Sequence, residues 1–161
     1  MDPAKAKLNW NSTLPPKGEW RGKLLRKELR RHRWLVLQPD EDVCRLYVRD
    51  NNLEYSFPAN WESDGPSIPN AVCELFGTKR ENFLRSGFLH DYIYRTARCL
   101  VREPGGEWES VELDKETADT LLRVGLLAEG SGSMQARIIY LGVHTKIANR
   151  LWRRHRNKER K

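Results

Sequence analysis

A change of hydrophobic period near Pro58 does most to limit what this chain can fold into. Before it, Trp34-Leu35-Val36-Leu37, Cys44-Arg45-Leu46-Tyr47-Val48 and Leu53-Glu54-Tyr55-Ser56-Phe57 are short β-prone runs, the last alternating apolar and polar. Pro39-Asp40-Glu41-Asp42 and Asn51-Asn52 carry turn chemistry between them, so the three runs predict an antiparallel meander. After the loop from Trp61 to Pro69 the apolar residues recur at helical spacing. Pro69 suits the first position of a short helix to Phe76, stopped by Gly77. A second helix, about Glu81 to Arg98, would bury Leu84, Phe88, Leu89 and Ile93, and Pro104-Gly105-Gly106 turns the chain after it. Asp114 is placed to cap a helix to about Glu129. Gly130-Ser131-Gly132-Ser133 then leads to a last helix from about Met134, packing through Ile138, Leu141 and Ile147.

The expected fold class is therefore α+β, a small antiparallel β-meander followed by a helical half of three main helices. With 161 residues, one globular domain is expected, over residues 19–152. Residues 1–18, with Pro3, Pro15 and Pro16, are expected as a flexible N-terminal arm, and residues 153–161 as a basic C-terminal tail. The stretch from Trp20 to Arg33, with Leu24, Leu25 and Leu29 among many cations, allows either a short helix or an irregular basic strand.

Charge is distributed unevenly. Residues 1–33 carry 10 Lys/Arg against 3 Asp/Glu, residues 34–144 carry 11 against 18, and residues 145–161 carry 8 against 1, so two +7 ends flank a −7 middle. Such ends suit a polyanion, nucleic acid or an anionic membrane, although solubilising tails are the commoner explanation of such runs; the acidic middle is where a cation would go. Arg150, Arg153, Arg154, Arg156 and Lys158 are the candidate polyanion-binding residues, gathered around Trp152. No apolar run approaches membrane-spanning length and no signal peptide opens the chain, so a cytoplasmic location is expected. Cys44, Cys73 and Cys99 are odd in number and not paired as C-x-x-C, which predicts small packing groups and neither disulfides nor a cysteine metal site.

His90-Asp91-Tyr92-Ile93-Tyr94 sets an imidazole, a carboxylate and a phenol at helical spacing, and Ala118-Asp119 supplies a second carboxylate on another helix. An imidazole that deprotonates water needs a carboxylate behind it to fix its tautomer, a role Asp119 could fill, leaving Asp91 to hold a cation. The same residues have a structural interpretation. Asp91 can pair with Arg95 and Asp119 with Arg123, each one turn away, while His90 sits satisfied in the core.

Together with Ser63-Asp64-Gly65-Pro66-Ser67-Ile68-Pro69 and a last helix bearing Tyr140, these motifs resemble the phage and prophage family known as domain of unknown function 1353, over roughly Leu35 to Trp152. That resemblance implies a short meander, an S-D-G-x-S-I-P loop and three helices, with no established activity. The stretch between Tyr94 and Asp119 is longer than the family leads one to expect. The H-D-x-x-Y motif with a second Asp also resembles the active site of phospholipases A2. This second resemblance implies His90 as base, Asp91 as calcium ligand, Tyr94 as support and Asp119 as orienting carboxylate, with calcium acting on the ester carbonyl. Asp64 and Gly65 would complete the cation shell, although Gly65-Pro66 replaces the repeated glycines of that loop.

Two functions follow as expectations: a phage-encoded, calcium-dependent ester hydrolase, or a non-enzymatic accessory protein whose basic ends engage nucleic acid, an anionic membrane or a host defence protein.

Overall fold

The computed structural model describes residues 2–8, 16–30, 33–38, 42–63, 70–143, 150 and 152–153. In chain order these form α1 (Pro3–Ala6), β1 (Gly18–Arg21), β2 (Leu25–Arg30), β3 (Arg33–Leu37), β4 (Arg45–Val48), β5 (Leu53–Ser56), β6 (Trp61–Ser63), α2 (Asn70–Leu75), a 3-10 turn (Arg80–Phe83), α3 (Leu84–Thr96), β7 (Arg98–Arg102), β8 (Glu109–Glu112), α4 (Lys115–Ala128) and α5 (Ser133–Val143). The fold is α+β, with antiparallel sheets set against helices, as the change of period implies.

The strand pairing differs from a single meander. A five-stranded sheet runs β1-β4-β5-β7-β8, and a separate three-stranded sheet runs β2-β3-β6. The tight Asn51-Asn52 turn does join β4 to β5, with Asn52 left-handed at φ 54°. The 34–37 run, however, pairs with the basic strand β2 and with β6, and not with 44–48. The Gln38 side chain spans the gap between the sheets, accepting from the Cys44 N–H at 2.7 Å and donating to the Phe57 carbonyl, so the groups a hairpin would have paired are satisfied otherwise. Of the undecided stretch from Trp20 to Arg33, Trp20 and Arg21 lie in β1, Leu25–Arg30 form β2 and Arg33 begins β3.

Part of the proline-rich arm is seated. Ala6 and Leu8 are buried in the main core, and the buried Tyr55 hydroxyl donates to the Ala6 carbonyl at 2.9 Å, which holds residues 2–8 against the sheet. Cys44, Cys73 and Cys99 are buried free thiols, and burial pushes the Cys44 thiol up to about 12.

Helix α3 buries Leu84, Phe88, Leu89 and Ile93, the stripe its spacing implies, and ends at Ala97 in a left-handed conformation at φ 53°. The long stretch before Asp119 is the β7–β8 hairpin. It returns the chain to its starting point, where the Leu113 N–H donates to the Ala97 carbonyl at 2.9 Å, so α4 begins beside the end of α3. Asp114 caps α4 by accepting from the Thr117 N–H at 2.8 Å. At the far end, the Glu129 carboxylate accepts from the N–H groups of Arg85 and Ser86 and from the Ser86 hydroxyl, taking the first-turn donors of α3. Both ends of the antiparallel pair are latched. Between the latches Gly125 lets the helices approach, since a Cβ there would lie 2.8 Å from Ser86 Oγ.

Helix α5 packs through Gln135, Ala136 and Ile139. Leu141, expected to pack, is 55% exposed because it lies two residues, about 200° around the helix, from Ile139. Ile138 is half-buried, and Ile147 falls outside the described residues.

Candidate active site

Helix α4 lies between α3, α5 and β1, which is why it is buried on nearly every side, from Thr117 through Leu126. Asp119, in its second turn, is fully buried, so its charge has to be answered by protein groups. Two answer it. His90 Nε2 lies 3.2 Å from Oδ1, and Lys115 Nζ donates to Oδ2 at 2.5 Å. A carboxylate acceptor selects the tautomer with its proton on Nε2, which leaves Nδ1 as the acceptor nitrogen of the ring. The His90 side chain retains 14% exposure, so the ring is reached from solvent while Asp119 is not.

Tyr94, one turn beyond His90 on α3, lays its ring against the imidazole with centroids 4.3 Å apart. Its hydroxyl donates to the Val143 carbonyl at 3.4 Å. Burial, reinforced by the charge of Asp119, pushes the Tyr94 phenol far above its ordinary range. Burial and the same carboxylate also raise the phenol of Tyr140 on α5, while the Arg123 guanidinium lies 5.6 Å over the Tyr140 ring. Trp152 packs edge-on against Tyr94 at 5.0 Å, which makes this tryptophan part of the cover over the site. Of the candidate polyanion-binding residues around it, Arg150 and Arg153 are exposed, and Arg154, Arg156 and Lys158 lie outside the described residues.

Asp91 behaves differently from the resemblance. Its Oδ1 accepts from Arg95 Nε at 2.9 Å and its Oδ2 from the Ser63 hydroxyl at 2.8 Å, the one-turn pairing that the spacing also allowed. Among the described residues Asp91 is thus engaged by a guanidinium and a hydroxyl, where the resemblance implies a calcium ligand. Among the described residues no group of three or more His, Cys, Asp or Glu could hold a metal. Asp64 and Gly65, the other expected ligands, lie outside the described residues; Ser63, immediately before them, ends β6 against Asp91.

The sequence thus named His90, Tyr94 and Asp119, which converge. It missed Lys115, whose signal was its place one turn before Asp119, and Ser63, whose approach depends on the pairing of β6 with β3.

Residues 42–143 match the family model described as Protein of unknown function (DUF1353), a span holding every residue of the His90–Asp119 cluster through Val143, and the chain belongs to that family. No curated protein and no solved structure matches it.

Proposed function

We propose that this member of the DUF1353 family is an ester hydrolase of the phospholipase A2 type, with His90 as general base and Asp119 as the carboxylate that orients it. The observation that carries this reading is the 3.2 Å approach of His90 Nε2 to the buried Asp119 Oδ1, which commits one ring nitrogen and leaves the other to take a proton from water. As the water oxygen adds to the ester carbonyl, Nδ1 takes its proton; when the tetrahedral adduct collapses, the departing alkoxide takes that proton back and leaves as the alcohol. Lys115 offsets the Asp119 charge, and Tyr94 holds the plane of the ring. No step runs through calcium, because Asp91 is engaged by Arg95 and Ser63. The setting is a phage-encoded protein acting on host membrane.

The test is fatty-acid release from anionic and zwitterionic phospholipid vesicles, with calcium and with chelator, by wild type and His90→Ala. Release by wild type that His90→Ala abolishes supports the reading; no release by wild type under any condition overturns it.

A second reading is favoured by the two cations themselves. Lys115 on Asp119 and Arg95 on Asp91 answer both carboxylates, as in a structural strut, and the exposed Arg150 and Arg153 open the basic end. On this reading the protein binds a polyanion or a host protein without chemistry. Truncation after Asn149 that abolishes salt-sensitive retention on nucleic acid or anionic vesicles, in a chain with no esterase activity, would select it.

A further inference from the structure

We propose that the outer edge of β2 is a docking site for an extended acidic segment of a partner protein, which adds to the three-stranded sheet as a fourth strand.

All six residues of β2, Leu25 to Arg30, are exposed, and its one neighbour in the sheet is β3. The opposite edge of β2 therefore presents its backbone N–H and C=O groups with no strand beside them among the described residues, a template for another extended chain. What the side chains add decides the occupant. Arg26, Lys27 and Arg30 stand against a single acid, Glu28, and Lys23 precedes them. Arg33 on β3 is paired with Glu62 at 3.0 Å and Arg26 packs over the Trp34 ring at 4.9 Å, so the surplus charge of this sheet lies on β2, its outermost strand among the described residues. A same-sign edge repels basic chains. It also repels a second β2, since antiparallel self-pairing sets cations against cations.

Charge alone would suit nucleic acid as well. The apolar content does not. Leu25 is 47% and Leu29 44% exposed, and Leu25 stands opposite the half-buried Leu37. Phosphates leave such side chains in water, whereas a paired strand covers them with its own. A charged edge kept only for solubility would have no use for two half-exposed leucines. The backbone edge, the leucines and the cations together fit an extended segment that alternates acidic and apolar residues.

The experiment is a titration of the full chain with a labelled eight-residue peptide of alternating Glu and Val, followed by anisotropy, beside a peptide with Lys in place of Glu and a duplex oligonucleotide of equal charge. The expected result is saturable binding of the acidic peptide alone. Binding should weaken about tenfold or more in Arg26→Glu/Lys27→Glu/Arg30→Glu and also in Leu25→Ala/Leu29→Ala, both exposed changes that leave the melting temperature near wild type. Equal peptide affinity in wild type and the triple variant overturns the proposal, as does no peptide binding at millimolar concentration. Oligonucleotide binding that outcompetes the peptide and ignores the two leucines assigns the edge to nucleic acid instead. Concentration-dependent sedimentation of the chain alone, lost in the triple variant, assigns it to a second copy.

Discussion

Two buried carboxylates, Glu54 in the sheet and Asp119 between the helices, solve the same problem with different partners. Glu54, on β5, accepts from Arg45 Nε at 3.0 Å, Arg102 Nε at 2.8 Å and Arg21 at 3.4 Å, so guanidinium groups from β4, β7 and β1 converge on one acid. Arg21 also covers the Tyr47 ring and Arg102 the Trp108 ring. Every partner of Glu54 here keeps its charge at any physiological pH. Asp119 is answered by Lys115 and by an imidazole, the one side chain suited to accept and release a proton near neutrality. Burial and charge thus mark both sites as costly, and only the identity of the partner separates a strut across four strands from a candidate for chemistry.

The comparison predicts the largest loss of stability at the strut. Glu54→Ala removes the buried acid on which three guanidinium groups converge and is expected to cost about 3 kcal/mol in urea unfolding, with any esterase activity per folded molecule unchanged. Burial pushes the Glu54 carboxyl up, but the hydrogen bonds and charge of Arg102 and Arg45 outweigh it and hold the group below its ordinary range. The folded state then binds fewer protons than the unfolded state in that window, so the strut's contribution is complete above the ordinary carboxylate pKa, about 4.3, and is lost as pH falls through the folded value. Acid unfolding of Glu54→Gln should be correspondingly shallower than that of wild type. An unchanged acid limb would mean that the arginines find other partners.

Asp119→Asn comes next. The amide keeps one acceptor for His90 or Lys115 and leaves the other with an unanswered donor, at about 2 kcal/mol. If the dyad is catalytic, turnover falls far more than stability does. If the two losses scale together, Asp119 is a second Glu54. His90→Ala is expected to cost only about 1 kcal/mol, since the ring is partly exposed and its one acid partner keeps Lys115, while abolishing ester hydrolysis. A cost as large as that at Glu54 would place His90 in the core and favour the structural reading.

What the sequence revealed of this comparison follows the range of the interactions. His90, Tyr94 and Asp119 lie on two strongly periodic helices, and their convergence follows once those helices are antiparallel. The β7–β8 hairpin that makes them so sits in the stretch between Tyr94 and Asp119, where only Pro104-Gly105-Gly106 gave it away, since Arg98-Cys99-Leu100-Val101-Arg102 continues an apolar helix stripe as readily as it forms a strand. The Glu54 strut was hidden for another reason. Glu54 takes a polar position in an alternating run, where period alone assigns it to solvent, and its burial comes from arginines on strands distant in sequence. Likewise, Trp34-Leu35-Val36-Leu37 was legible as a strand, yet its partners were not, because β2 has no apolar alternation and β6 spans three residues.

The smallest expected effect tests whether Asp91 belongs with the strut or with the site. Arg95 is about one-third exposed, and a pair of this kind is worth about 0–1 kcal/mol, so Arg95→Ala should hardly move the melting temperature in chelator. It would, however, take the guanidinium away from Asp91 Oδ1 beside Ser63, the residue that leads directly into Asp64-Gly65. A cation that binds only the native state raises its stability by mass action. Wild type is therefore expected to melt at the same temperature with and without calcium, and Arg95→Ala to gain a calcium-dependent rise that Asp64→Asn removes if the loop reaches the ion. A rise already present in wild type and lost in Asp91→Asn would show that Arg95 yields to calcium. In that case Asp91, like Asp119, would carry a partner that can be exchanged, and Glu54 alone would remain a fixed strut.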